Sequence, residues 1–436
     1  MYQPLTCLVE LNRMLQGTLY SRSQIDHVAR RLLSDMFAYA NRHVAYYSDC
    51  LNEPTVPLDE PVEVLRALPV LTKEILRSEV SRLRSARWRW LVKRNTSGGS
   101  TGEPAVFYQD ARYRRWNRAA KLVFDTWSGV HLNHTKAILW AAQSDVRASS
   151  RGIGRLKSML KKEISLNAYS MDEVSMSAYL DVLERQRPDQ LMVYAESGYE
   201  LARFALARGR RIQGMSAVMS SAGTLFPDMR AKMEEAFGAP VFNRYGSREV
   251  GDVACECSAH AGLHVNPFTH FVEILREDGS EANPGELGRV VVTSLTNYAM
   301  PLIRYEIDDL ASWATGDCPC GCNWPLLEKV EGRVTDHVKS ANGALVYGAK
   351  LRHLLFHMDY IKKYRWVQES VGAIRLLVVL DRDAVFQGER WKRDLIRLET
   401  DLREALGADC LLTIEVLEEI PPSASGKHRY VVSNVV

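Results

Sequence analysis

The ten residues Asn95-Thr96-Ser97-Gly98-Gly99-Ser100-Thr101-Gly102-Glu103-Pro104 concentrate backbone freedom and hydroxyl donors in one place. Three glycines, two serines and two threonines fall within eight positions. Glycine lets a chain turn and approach a ligand closely, and hydroxyls with exposed N–H groups donate to anionic oxygens. Between the β-like runs 88–92 and 105–108, the stretch reads as a loop that cradles phosphate. It is not a Walker loop, which needs a lysine running into a helix, because Glu103 and Pro104 follow Gly102. Taken alone, it is equally a flexible hairpin.

Cysteine supplies the second chemical signal. Of eight cysteines, Cys7, Cys50 and Cys410 stand alone, whereas Cys255 and Cys257 precede His260 and His264, and Cys318, Cys320 and Cys322 form a second cluster. In a reducing compartment such clusters bind metal more often than they form disulfides. A knuckle and a distant cluster suit one tetrahedral Zn²⁺ site, and the spacing leaves open which four residues close it. The plainer alternative is a set of reduced thiols. Three further stretches combine reactive residue types: Tyr245-Gly246-Ser247-Arg248-Glu249, Arg304-Tyr305-Glu306-Ile307-Asp308-Asp309-Leu310, and Ser425-Gly426-Lys427.

The elements that must position these residues follow from hydrophobic periodicity. Helical spacing appears over 24–47 and over 62–83, the latter broken by Pro69. The helix expected over 112–127 carries Arg112, Arg114, Arg115, Arg118 and Lys121, a solvated face or a basic face near phosphate. Apolar runs at 137–140, 190–194, 217–221 and 240–244 alternate with helical stretches at 196–208 and 226–237, the pattern of an α/β layered core. Several of these strands end in small or polar residues, where ligands sit in such sheets. Residues 289–294 read as a strand of a different, antiparallel or barrel-like part. Beyond 335 the chain restarts as a small α+β unit, with strands at 374–380 and 411–417 around a helix at 389–406. A boundary near Arg333 gives a large body over 1–333 and a small one over 334–436.

At 436 residues the chain exceeds one typical domain. Hydrophobic content of 46%, charged content of 25% and a net charge of +3 are those of an ordinary globular protein, with no global argument for nucleic acid or membrane. The start lacks the basic and apolar runs of a signal peptide, and no apolar run approaches the roughly 18 residues of a membrane span. A cytoplasmic enzyme acting on small molecules is expected.

Read in order, the loop at 97–102, Tyr245 to Glu249, Arg304 to Leu310, Glu331-Gly332-Arg333-Val334-Thr335-Asp336 and Ser425-Gly426-Lys427 resemble the adenylate-forming enzymes. Within them the likeness is to the phenylacetate–CoA ligase-like branch, which includes capsule-biosynthesis ligase homologues, and it covers residues 90–430. The resemblance implies a large multi-subdomain adenylate-forming domain of α/β class with a small mobile α+β domain behind it. It also implies ATP and Mg²⁺, an aryl carboxylic acid as substrate, and coenzyme A, an amine or a carrier-protein thiol as acceptor.

Residue by residue, the resemblance assigns Ser97, Gly98, Gly99, Ser100, Thr101 and Gly102 to the β- and γ-phosphates. Ala222, Gly223, Tyr245, Gly246 and Ser247 go to the nucleotide, with the Tyr245 ring, just past a strand end, on adenine. Glu249 is implied as the Mg²⁺ ligand and Asp309 as the acceptor of the ribose hydroxyls; Asp308 stands where relatives carry glycine or arginine. Gly332, Arg333 and Asp336 match the hinge between the two domains, and Arg333 counts with the nucleotide and catalytic set. Lys427 matches the mobile lysine that bridges carboxylate and ATP. The acyl pocket is implied at Trp140, Tyr194, Ala195, Ser221 and Ala222, with Gly223 and Thr224 beside them. Leu139-Trp140-Ala141-Ala142-Gln143 departs from the glycine- and tyrosine-rich segment of phenylacetate-specific relatives. For the metal, the branch pattern selects Cys257, His264, Cys318 and Cys320, with Cys255, His260 and Cys322 as substitutes. Four protein ligands leave no position for a reacting water, so a zinc there is structural.

Two other classes compete. A zinc-bearing nucleic-acid-binding protein would use the knuckles and the arginine-rich 112–118 segment, against the near-neutral net charge. A degenerate ligase kept as a scaffold would not need Lys427, Glu249 and Asp309 intact. The sequence leaves a homodimer open.

Overall fold

The computed structural model describes residues 7–51, 60–87, 92–97, 105–140, 162–168, 171–333, 337–341, 345–347, 351, 354–355, 358, 360–380, 389–421 and 430–435. The chain forms two compact units, residues 1–307 with 311–330, and residues 308–310 with 331–436.

An 11-stranded sheet organises the first unit. Strands β3 (Lys136–Trp140), β4 (Glu163–Asn167), β5 (Gln190–Tyr194), β6 (Ala217–Ser221) and β7 (Val241–Ser247) run parallel in the order β4-β3-β5-β6-β7. All five residues of β6 are buried, as expected of a parallel strand covered on both faces. From β7 the sheet turns antiparallel through β8 (Gly251–Glu256) and β9 (Leu263–Val265), then passes to β13 (Leu326–Arg333), β12 (Tyr305–Trp313), β11 (Gly288–Ser294) and β10 (His270–Leu275). The strand expected at 289–294 is antiparallel to β10, yet it continues this one sheet rather than starting a separate part. Strand β7 also runs on through Ser247, because β8 pairs with it up to Gly251, so Tyr245 sits within a strand and beside a bulge.

Helices seal the sheet. Helix α1 (Leu8–Gly17) went unforeseen; α2 (Arg22–His43) starts at a reciprocal cap between Ser21 and Gln24, and α3 (Ala45–Leu51) follows directly. The expected helix over 62–83 is three short ones, α4 (Pro61–Ala67), α5 (Lys73–Ser78) and α6 (Val80–Leu83). Pro69 has no N–H to continue the first, and Thr72 caps the second through its hydroxyl. After the hairpin β1 (Lys93–Thr96) and β2 (Val106–Gln109), α7 (Ala111–Trp127) crosses the sheet. Its stripe Trp116, Ala119, Ala120, Val123 and Phe124 shares a core with Met219, Phe242 and Cys255. Truncating a buried phenylalanine such as Phe124 costs about 3–5 kcal/mol.

Asp110 anchors this helix. Its Oδ1 accepts from the Tyr113 N–H at 2.7 Å, and its Oδ2 accepts from the N–H groups of Tyr298 and Ala299 at 2.7 and 3.0 Å. Arg304 is a second clasp. Its guanidinium pairs with Glu273 at 2.9 and 3.2 Å and donates to the carbonyls of Leu68 and Arg66 at 2.6 and 2.9 Å, all in the interior. Thus the segment after α4 is held to the sheet by the Arg304 guanidinium and by main-chain bonds of Leu71 to Arg304 and Glu306.

In the second unit, β16 (Ile361–Ser370) and β17 (Ala373–Leu380) are antiparallel, β18 (Leu411–Val416) lies parallel to β17, and β19 (Val431–Ser433) lies parallel to β16. The helix Glu389–Leu406 turns Leu398, Leu402 and Leu406 into a core with Trp366, Leu376 and Val378. Among the described residues, no helix is long and apolar enough to cross a membrane.

Candidate functional site

The β1–β2 hairpin pairs Thr96 with Val106 and Asn95 with Phe107, which brings the two ends of the glycine-rich bend together. Ser97 closes it: its N–H donates to the Ala105 carbonyl and its Oγ accepts from the Ala105 N–H, both at 2.8 Å. Ser97 is 3% exposed, so its oxygen serves the closure of the bend. Gly98, Gly99, Ser100, Thr101 and Gly102 lie outside the described residues.

Below the bend, Asn95 Nδ2 donates to Gln109 Oε1 at 2.6 Å, and Gln109 Nε2 donates to the carbonyls of Arg248 and Glu249 at 3.2 and 3.4 Å. The stem of the bend is therefore bonded to the turn that follows β7. That turn carries Glu249, and β7 leads into it with Tyr245 and Ser247; Tyr245 and Glu249 are buried, and the Ser247 Oγ accepts from the Val250 N–H at 3.4 Å. Gly246 is needed for packing, since a Cβ there would strike the Gly251 carbonyl.

At the ends of the parallel strands, the rings of Trp140 and Tyr194 stack with centroids 4.0 Å apart and planes 29° from parallel. Ser221 is buried at the end of β6, and Ala195 is buried at the start of the helix Ala195–Ala207. Ala222 takes a left-handed backbone with φ +62°. At Gly223 a Cβ would lie 2.6 Å from the Glu196 carboxylate, so the turn at 222–224 lies against the head of that helix. The basic face of α7 is occupied by protein groups: Arg112 stacks on Tyr298, Arg115 pairs with Glu10 and Lys121 with Asp252.

Asp309 lies half-buried on β12, grouped with the second unit, and its neighbour Asp308 has φ +62°. Arg333 ends β13, and its side chain is outside the described set, as are Asp336 and Lys427.

The donor atoms of Cys257, His264, Cys318 and Cys320 all lie within 4.8 Å of one another. Cys257 Sγ is 3.5 Å from Cys318 Sγ, and Cys320 Sγ is 3.3 Å from His264 Nε2. A tetrahedral ion with Zn–S about 2.3 Å and Zn–N about 2.0 Å sets its donors roughly 3.5–3.8 Å apart, so three thiolates and an imidazole at these separations fit zinc. His264 Nδ1 donates to the Trp324 carbonyl at 3.4 Å, which leaves Nε2 with its lone pair toward the thiols. Burial holds the Cys257 and Cys318 thiols above their ordinary pKa and His264 below its own, and a bound dication would draw the thiols to thiolate. The substitutes are engaged elsewhere. Cys255 is in the core beside Met219, and His260 faces Glu256 and Arg230. Cys322 packs against the core that contains Trp324.

Comparison with known proteins agrees with this architecture. The family model "CapK C-terminal domain" matches residues 338–434. Protein CapK of Staphylococcus aureus is 24% identical over 92% of this chain and 87% of its own length. A phenylacetate-coenzyme A ligase of Thermus thermophilus is 26% identical over 47% of this chain and 50% of its own. The solved structure of 2-hydroxyisobutyryl-CoA ligase, in its postadenylation state with an acyl-AMP, superposes with a TM-score of 0.77 at 16% identity, covering 96% of this chain and 91% of that one. This chain is a homologue of CapK and the phenylacetate–CoA ligases. Its fold is that of the adenylate-forming CoA ligases.

Within this ligase fold, sequence reasoning passed over Asn95 and Gln109, which tie the bend to the turn of Tyr245 and Glu249. A polar pair on facing strands of a hairpin was the available signal, but its second partner lies 139 residues away from Gln109. Trp324 was also missed. Its Nε1 donates to the Gly17 carbonyl at 3.0 Å, and its ring stands edge-on to Trp127, joining the cysteine knuckle to α1 and α7.

Proposed function

We propose that this chain activates a small aromatic carboxylic acid with ATP and transfers the acyl group to coenzyme A. In the first step a carboxylate oxygen bonds to the α-phosphorus of ATP and the bond to pyrophosphate breaks, leaving an acyl-AMP. In the second, the thiol displaces AMP. The bend from Ser97 to Gly102 would hold the outer phosphates through N–H and hydroxyl donors. Tyr245 would lie against adenine, Asp309 would accept from the ribose diol, and Glu249 would supply a hard oxygen to Mg²⁺. Lys427 would neutralise charge gathering at phosphorus, and Arg333 would act at the hinge between the two halves of the reaction. The thiols of Cys257, Cys318 and Cys320 with His264 would hold a structural zinc. Trp140 and Tyr194 offer a flat aromatic wall to the acid.

The reading is supported above all by the hydrogen bonds from Asn95 through Gln109 to Arg248 and Glu249, which hold the stem of the candidate phosphate bend beside the turn that follows Tyr245 and carries Glu249. An amine or a carrier-protein thiol would serve in the second step by the same displacement. Pyrophosphate exchange into ATP, run against a panel of aryl acids, tests the first step. Exchange with at least one acid, lost in Lys427→Ala, is expected; no exchange with any acid ends the reading. Mass spectrometry of the product with coenzyme A, amines or a pantetheine carrier then identifies the acceptor.

A further inference from the structure

The strand register places a charged side chain where the acyl pocket is expected. Tyr194 pairs with Ser221, and Ser221 pairs with Arg244, so the three share a row on one face of the parallel strands. Trp140 joins that row by stacking on Tyr194. One row earlier on the same face, Met192 pairs with Met219. Arg244 leans back toward that row, and its Nη2 lies 3.5 Å from Met192 Sδ. Its guanidinium thus lies beside the Met192 thioether, one row back from Tyr194, and Arg244 is only 5% exposed.

Its partners do not match its donors. A guanidinium has five N–H donors, and charge-assisted bonds to carboxylates run about 2.7–2.9 Å. The Arg244 Nε lies 3.5 Å from Asp252 Oδ1 and makes no hydrogen bond, and a thioether is a weak acceptor. Asp252 is shared: Lys121 approaches its other oxygen at 3.7 Å, and its N–H is bonded to Asn117 Oδ1 at 3.1 Å. Two cations therefore face one carboxylate, and Asp252 Oδ2, like Arg244 Nε, is buried with no hydrogen bond. A guanidinium held out of water with donors unspent is a strong recognition element for an incoming oxygen.

We propose that Arg244 is a specificity-determining residue of the acyl pocket and that the acid carries, away from its reacting carboxyl, an oxygen acceptor that this guanidinium binds. The excess of positive charge makes a second carboxylate the preferred group and a hydroxyl the weaker one. This deepens the ligase reading above and rests on it for the place of the acyl pocket and the identity of the reacting carboxyl.

The test uses phenylacetate, 4-hydroxyphenylacetate and 4-carboxyphenylacetate, with binding by calorimetry in the presence of a non-hydrolysable ATP analogue and pyrophosphate exchange measured separately. The wild type is expected to bind the carboxy acid at least about 10-fold more tightly than phenylacetate, with the hydroxy acid between, the range of a hydrogen bond to a charged group. Arg244→Met should erase that order and Arg244→Lys should keep part of it. Because Arg244→Met leaves the buried Asp252 with Lys121 alone at 3.7 Å, the double variant Arg244→Met with Asp252→Asn removes both charges and should likewise lose the preference. Equal or absent binding of the three acids by the wild type, or a preference that survives in either methionine variant, overturns the proposal. If binding follows the expected order but no acid supports exchange, the pocket assignment stands and the adenylation reading falls.

Discussion

Gln109 Nε2 donates to the Arg248 carbonyl at 3.2 Å, and so fixes the foot of the glycine-rich bend to the turn that ends in Glu249. A side-chain amide performs this join because its oxygen accepts from Asn95 Nδ2 while its nitrogen donates to the main-chain carbonyls of Arg248 and Glu249. Gln109→Ala removes the bonds to Asn95, Arg248 and Glu249 and should cost about 1–3 kcal/mol of stability. Its larger effect should be a raised KM for ATP with a smaller change in kcat, since the bend loses its placement and the reacting groups remain. Steady-state kinetics against a distant surface variant measures the split. An unchanged KM for ATP would detach the bend from nucleotide binding.

The stacked pair of Trp140 and Tyr194 should bind the acid by its ring. Aromatic pairs contribute about 0.5–1.5 kcal/mol beyond burial, so Trp140→Ala should weaken aryl acid binding by several-fold to about 10-fold. An aliphatic acid of the same length should be affected less. Calorimetry with one aryl and one aliphatic acid distinguishes the cases.

Zinc should be present at about one ion per chain, held by four protein ligands. Cys257→Ser and His264→Ala should each lose it on metal analysis and lower the melting temperature by several degrees, whereas Cys255→Ala should keep it. Ligands must shed protons to bind a cation, so metal retention should weaken as pH falls. Full metal content in Cys257→Ser would remove the site.

The buried pair of Arg304 and Glu273 should be costly to break on one side. Arg304→Met leaves a carboxylate in the core without its partner and should destabilise by about 3–5 kcal/mol. Adding Glu273→Gln removes the stranded charge and should recover part of the loss. Urea midpoints of the single and double variants report the difference.

His270 is held neutral inside the fold. Burial depresses its pKa to about 4, against the opposing pull of the Val250 carbonyl and Asp252. Nε2 donates to that carbonyl and Nδ1 faces the Thr269 hydroxyl, both at 2.9 Å. An unfolded histidine protonates near 6.5, so between about pH 6.5 and 4 the unfolded chain binds a proton that the folded one refuses. Stability from this group is complete above that window and falls with acid by up to about 1.4 kcal/mol per pH unit. Urea midpoints measured across the window should show a shallower acid loss in His270→Asn than in the wild type. Equal slopes would place the acid sensitivity elsewhere.

Local pattern alone determined the elements that carry their own period. Residues 190–194 and 217–221 are strands over the span expected, and the helix at 389–406 likewise, because a short apolar run or apolar residues three to four apart mark a buried element without help from the rest of the chain. The cysteine and histidine types raised the expectation of a metal site. Which four donors converge was decided by the antiparallel pairing of β8, β9 and β13, which sets His264 opposite Leu326 and carries Cys255 into the core instead. The end of β7, the clasp of Arg304 on Leu68 and the seat of Arg244 beside Met192 were likewise settled only by the fold. Each depends on which strand lies beside which, and partners 52 residues apart, as for Arg244 and Met192, or 236 apart, as for Arg304 and Leu68, leave no trace in a local period.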